Sequence, residues 1–232
     1  MMRVFTGRTQ ETEMGFPSAI FKSEVFGELW LGATGLEGDE QASPKIHGGT
    51  ERALLHYPSI HYVWWANRYP EKRDLFRPAL FGENLSDSRW HEKNVCIGDI
   101  FRWGDAIIQI SQPRSPCYKL SRRTGCDGLA LLMQQHARCG WLYRVLQPGT
   151  VGAALPFRFA ERVSRASVHE VMSLMFGDEN RAPSKKREDW LRLSETEGLS
   201  ERWRKTLLNR LESGKIESWE ARLAGPASRR QN

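Results

Sequence analysis

Hydrophobic and polar positions alternate over short stretches through the first three-quarters of the chain and recur at helical spacing after that. In 106–111 (AIIQIS) the alternation sets Ala106, Ile108 and Ile110 on one face and Ile107, Gln109 and Ser111 on the other. Segments 25–31 (VFGELWL), 95–101 (VCIGDIF) and 141–146 (WLYRVL) also read as strands. Turn residues punctuate them, among them Gly38-Asp39, Gly98-Asp99, Gly104-Asp105 and Pro148-Gly149. Many short strands at this spacing predict a barrel or closed sheet. Two helices are expected to interrupt it. One runs from Ser59 to about Arg68. The other is capped by Asp127 and carries Leu129, Leu132, Met133 and His136 on one stripe.

After about Val163 the texture becomes helical. Ser167-Val-His-Glu170 forms a capping box ahead of Val168, Val171, Met172 and Met175. A second helix is expected near Ser184, with Trp190, Leu191 and Leu193. A third is expected near Leu199 or Ser200, with Trp203, Leu207 and Leu211. Trp190 and Trp203, beside leucines at this spacing, read as core anchors. The organisation predicted is mainly β with helices (α+β): a β-barrel domain over 1–163, a small three-helix domain over 164–213 and a loosely held tail over 214–232.

Composition narrows the class. The 232 residues suffice for one sizeable core with a small satellite. Hydrophobic content of 40% and charged content of 27% are ordinary for a soluble globular protein. No apolar run approaches the roughly 18–20 residues that span a bilayer. The first residues lack the apolar core of a secretory signal, which makes the cytoplasm the expected location. The net charge of +6 lacks the clustered basic stripe with interleaved aromatics of a nucleic-acid groove. A site for a phosphate-bearing small molecule needs only a few cations, so the charge leaves that open.

Cys96, Cys117, Cys126 and Cys139 form no C-x-x-C pair and match no zinc or iron–sulfur spacing. All four read as thiols. Cys117 stands apart, in Ser111-Gln-Pro-Arg-Ser-Pro-Cys-Tyr-Lys-Leu120. Two prolines stiffen the exit from a strand, and Arg114 and Lys119 flank the thiol and favour thiolate. That pattern suits a soft-metal ligand or a nucleophile. An inert buried cysteine is the commoner occupant of such a turn, and local chemistry leaves both readings open. His47, Gly48 and Gly49 form a loop whose backbone can approach an anion closely. Phe81-Gly-Glu-Asn-Leu85 offers Asn84 in a tight turn, as a ligand contact or as the brace of its own turn. His56 and His61 do not make a convincing metal triad with His47.

Taken in order, GLEGDEQA, HGG followed by ERALLHYP, LFGENLS, VCIGDIFRWG, IQISQPRSPCYKL and GWLYRVLQPG resemble the MOSC domain. The likeness covers about residues 25–163, and the helical remainder resembles the YiiM-type subgroup, which carries a three-helix domain after its barrel. The resemblance implies a molybdenum cofactor on a phosphate-bearing pterin, with a cysteine ligating the metal. Cys117 inherits that role. His47, Gly48, Gly49, Arg52, Asn84, Arg114 and Lys119 inherit cofactor contact. The implied activity is reduction of N-hydroxylated compounds such as 6-N-hydroxylaminopurine to amine and water. The chain has no Rossmann fingerprint and no ferredoxin-type cysteine set, so a separate flavoprotein reductase is the expected electron donor. A cofactor or sulfur carrier without turnover of its own is the alternative that the same residues serve. The family often has a second histidine before His47 and Pro-Asp after the glycines. Here Ile46 and Thr50-Glu51 stand there, so fine substrate specificity is not carried over.

Overall fold

The computed structural model describes residues 2–42, 48–177 and 182–225. Its large sheet has eight strands in the order β11-β7-β8-β9-β5-β6-β1-β2. They are β1 (Arg3–Thr6), β2 (Ser23–Val25), β5 (Leu54–His56), β6 (Leu85–Ser86), β7 (Ile100–Trp103), β8 (Ala106–Pro113), β9 (Trp141–Gln147) and β11 (Phe157–Glu161). A three-stranded sheet is ordered β10-β3-β4, from β3 (Glu28–Gly32), β4 (Gly35–Leu36) and β10 (Gly149–Gly152). Pairing is antiparallel except between β5 and β6. The sheet curls into a half-barrel with helices at its C-terminal side, so the expected β-rich fold with helices is found.

The centre of the sheet is β8, which pairs with β7 on one side and β9 on the other. Ala106, Ile108 and Ile110 fill the core, as their alternation requires. The alternation fails at the far end, where register with β9 shifts between Ile110 and Gln112. A bulge there turns Ser111 and Gln112 both inward, and both are fully buried. Segment 95–101 is not one strand. Asp99 accepts the Cys96 amide at 2.8 Å, Gly98 takes φ +83, and β7 starts only at Ile100.

Before the helical region lie α1 (Ile60–Arg68), α2 (Tyr118–Thr124) and α3 (Leu129–Gln135). The start of α3 is set by Gly128 at φ +72, not by a side-chain cap from Asp127. Helix α2 has no apolar stripe to announce it, since its buried residues are only Leu120 and Thr124. Then follow α4 (Val168–Phe176), α5 (Pro183–Ser194), α6 (Glu201–Ser213) and a short α7 (Glu220–Ala224). The Ser167 hydroxyl accepts the Glu170 amide at 3.1 Å, the cap expected at the head of α4. Trp190 and Trp203 are buried, as core anchors should be. The described part of the segment beyond 213, residues 214–225, is tied to the rest of the fold. Glu217 accepts from Nε and Nη2 of buried Arg210 at 2.8 Å, and Arg222 on α7 donates to the Pro116 carbonyl and to Gln134.

Two buried histidines serve packing. His61 Nδ1 accepts from Arg138 at 2.8 Å, which leaves Nε2–H to donate to Glu92 at 2.6 Å. His56 is fully buried, with Nδ1 3.2 Å from the Tyr143 hydroxyl and Nε2 without a hydrogen-bond partner. Burial pushes the His56 imidazole down to about 4, against weaker support from Asp87 and Glu92. The unfolded chain therefore binds a proton that the folded protein refuses. Stability should fall as pH drops from about 6.5 toward 4, by up to about 3 kcal/mol from this group. Urea unfolding at pH 7 and pH 4.5 measures the loss, and a His56→Gln variant should flatten it.

Candidate functional site

The cysteine loop begins where β8 ends. Pro113 and Pro116 restrict the backbone on either side of Arg114 and Ser115. The Arg114 amide donates to Gly140 O at 3.0 Å, pinning the loop to the chain beyond α3. Cys117 follows in an extended conformation (φ −134, ψ 166) at the head of α2. It is half-buried, whereas Cys96, Cys126 and Cys139 are buried. The Cys139 sulfur donates to the Met133 carbonyl at 3.2 Å, and burial pushes its thiol well up. Burial also raises the Cys96 thiol. These three pack, and Cys117 faces open space.

That space is a cavity of about 180 Å³ whose wall includes Cys117, Arg52, Asn84, Arg114 and Lys119. The fold thus gathers five of the eight site residues expected from sequence. His47 lies outside the described residues. Gly48 and Gly49 are not among the described wall residues. Gly49, at φ +101, leads into the 3-10 turn Thr50–Arg52, which places Arg52 in the wall.

The wall is held from behind. Arg114 donates from Nη2 to the Phe81 carbonyl at 2.8 Å, while its buried Nη1 has no hydrogen-bond partner. Gly82 follows Phe81 at φ +76, and a Cβ there would come within 2.8 Å of Ile20. Glu83, fully buried, accepts from the Tyr62 hydroxyl at 2.6 Å and from the Ala79 and Phe81 amides. Burial raises its carboxyl above the usual range. Asn84 accepts from Leu55 N at 3.0 Å and gives its amide hydrogens to Phe5 O at 3.2 Å and Asp39 at 2.8 Å. Its polar atoms are thus engaged in bracing the wall. Lys119 lies 4.7 Å from the Phe16 ring centroid. Burial, and then the like charge of Arg202, pulls the Arg52 guanidinium down to about 10.

Sequence reasoning missed several wall residues. Lys22 and Asp39 form a buried ion pair there, and burial depresses the Lys22 ammonium. The Gly38-Asp39 turn was legible, but a turn signal does not say where its carboxylate points. Gln112 also lines the cavity. With its amide oriented to suit its neighbours, it donates to Ser200 Oγ at 2.8 Å and accepts from Trp203 Nε1 at 3.1 Å and Arg52 at 3.3 Å.

A second cavity, about 590 Å³, lies between the loop and the C-terminal helices. It shares Arg52, Ser115, Cys117 and Lys119 with the first and adds Phe176, Arg202, Trp203, Trp219 and Arg222. Cys117 therefore borders both spaces. Among the described residues no group of three or more His, Cys, Asp or Glu side chains could hold a metal ion. A metal at this site would be met by one thiolate and by whatever ligands its own organic carrier brings. The orphaned Arg114 Nη1, with Arg52 and Lys119 in the same wall, suits an anionic carrier, because a buried cationic donor gains most from an ionised acceptor.

Exposure gives a direct test of which thiol is reachable. In cofactor-free protein, iodoacetamide should label Cys117 alone, and all four cysteines should react after unfolding. Peptide mass mapping reads the pattern, and a Cys117→Ser variant should remove the native label.

Comparison with known proteins gives the family and the fold. The MOSC domain family matches residues 43–155, and the YiiM-like, 3-alpha helix domain family matches residues 167–214. Protein YiiM of Escherichia coli (strain K12) is 47% identical over 226 residues, covering 96% of this chain and 97% of that protein. A protein named "Reductase" from Gibberella moniliformis is 38% identical over 154 residues, 65% of this chain and 27% of its own length. The crystal structure of E. coli YiiM superposes with a TM-score of 0.79 at 41% identity, covering 96% of this chain and 98% of that one.

Proposed function

The chain belongs to the MOSC domain family, with a YiiM-like three-helix domain, and on that premise we propose that it is a molybdenum-cofactor-dependent oxidoreductase that reduces N-hydroxylated compounds. The observation that carries the reading is the half-buried Cys117 thiol, set in a stiff loop in one wall with Arg52, Arg114 and Lys119. The relative named a reductase supports the oxidoreductase class. The substrate class, 6-N-hydroxylaminopurine included, follows from the subgroup resemblance.

In this reading Cys117 ligates the metal as thiolate, and Arg52, Arg114 and Lys119 hold the pterin phosphate. The bound cofactor supplies two-electron redox chemistry. The overall change balances as follows: an N-hydroxyl group takes up two electrons and two protons, its N–O bond breaks, and amine and water leave. The electrons come from a separate flavoprotein reductase. The protein's own residues orient and enclose. The prolines keep the thiol in one geometry. The tie from Gln112 to Ser200 and Trp203 keeps the helical wall against the loop and limits water. Among the described residues no helix is long and apolar enough to cross a membrane. The proposal places this chemistry in the cytoplasm.

Cys117→Ala, produced in a host that makes the cofactor, should lose molybdenum and the reduction of 6-N-hydroxylaminopurine with an artificial electron donor. Its melting temperature should stay near that of the unaltered protein. Full activity in that variant would overturn the reading. Arg114→Ala should retain the cofactor about 10- to 100-fold more weakly, the scale of one charged hydrogen bond. Molybdenum content after dialysis measures that change.

A further inference from the structure

The outer cavity differs from the inner one in character. Phe176 and Trp203 lie 5.7 Å apart and Phe176 and Trp219 5.1 Å apart between ring centroids, both edge-to-face. These rings and Tyr118 give the space flat apolar walls. Four cations also line it, Arg52, Lys119, Arg202 and Arg222, against one carboxylate, Glu217. That carboxylate is already taken by Arg210, at 2.8 Å to each oxygen. Arg222 is occupied with Pro116 O and Gln134. Exposed Arg202, by contrast, has no ion-pair partner among the described residues, and it shares the cavity with Arg52. Arg202 acts on Arg52 as a like charge, and an anion at Arg202 would offset that repulsion.

Rings and surplus positive charge together select a particular chemistry. An aromatic wall stacks any base, because every base has a π-face. Guanidiniums favour phosphate, which they can meet with two parallel hydrogen bonds. A volume of about 590 Å³ is in the ordinary range for a small-molecule site. The thiol borders this space, so an occupant can present a ring substituent to it.

We propose that the outer cavity is a nucleotide subsite, in which an aromatic heterocycle packs against Phe176, Trp203 and Trp219 while its phosphate is held by Arg202. The meaning of the occupant rests on the reading of Cys117 as the redox centre. A nucleotide bound here would be the N-hydroxylated substrate in phosphorylated form, its base turned toward Cys117. The helical domain would then select the substrate, while the barrel holds the cofactor. Trp219 and Arg202 line the outer cavity and not the inner one, which makes them the discriminating residues.

The test is calorimetric titration of the protein, prepared in a cofactor-producing host, with AMP, adenosine and adenine as unreactive probes. AMP should bind more tightly than adenosine, and added salt should erode the difference. Arg202→Ala should weaken AMP about tenfold and leave adenosine unchanged. Trp219→Ala should weaken all three roughly 5- to 100-fold, and Trp219→Phe should restore most of the loss. Arg114→Ala, in the inner wall, should leave AMP binding unchanged. No binding, equal affinity for AMP and adenosine, or AMP binding lost only in Arg114→Ala would each overturn the proposal. Arg202 is exposed, so its arm stands even where a tryptophan variant folds poorly. Molybdenum analysis of the same sample scores the redox reading separately, since the titration needs no turnover.

Discussion

The bulge at the end of β8 places two polar residues where there is no water, and their hydrogen bonds have to be made by other parts of the chain. Ser111 gives its hydroxyl to Glu51 O at 2.6 Å, and its carbonyl takes the Ser200 amide at 2.8 Å. Gln112 reaches Ser200, Trp203 and Arg52. One strand end thus joins the turn after Gly49, the sheet and the start of α6. A buried polar group left without a partner costs about 1–3 kcal/mol, so the helical domain is part of what satisfies the barrel. The loop carrying Cys117 springs from this junction, and its position inherits the rigidity of all three parts.

Charge around the site follows the same economy of partners. The described wall places Arg52, Arg114, Lys119 and Lys22 near one another, with Asp39 already committed to Lys22. Buried Glu83, behind the wall, is spent on Tyr62 and on backbone amides, and burial raises its pKa. The result is a pocket richer in positive charge than its own acids offset. Such a pocket is poorly suited to an empty apolar ligand and well suited to phosphate.

The sheet was legible because alternation survives wherever one face of a strand is buried, as at Ala106, Ile108 and Ile110. It was illegible where geometry breaks the pattern. The 95–101 segment contains Gly98, which bends it, and the bulge buries Ser111 and Gln112 on what should be opposite faces. Helix α2 lacked any stripe to read. Cys117 could be singled out by its prolines and its basic flanks, but local residues could not choose between ligand and inert thiol. The ordered likeness to a family made that choice. Lys22, Trp219 and Arg222 carried no local signal, and Asp39 only that of a turn, since their relation to the cysteine exists only after long-range contacts form. Asn84 was visible as a polar turn residue, yet no pattern shows that its amide would be consumed by Phe5, Leu55 and Asp39.

The bond from Arg222 to the Pro116 carbonyl spans 106 positions of sequence. A nascent chain emerges in order, so the cysteine loop exists long before the residue that fastens it. Until Arg222 arrives, the loop lacks this tie. The bond thus makes the wall beside Cys117 complete only when α7 is in place.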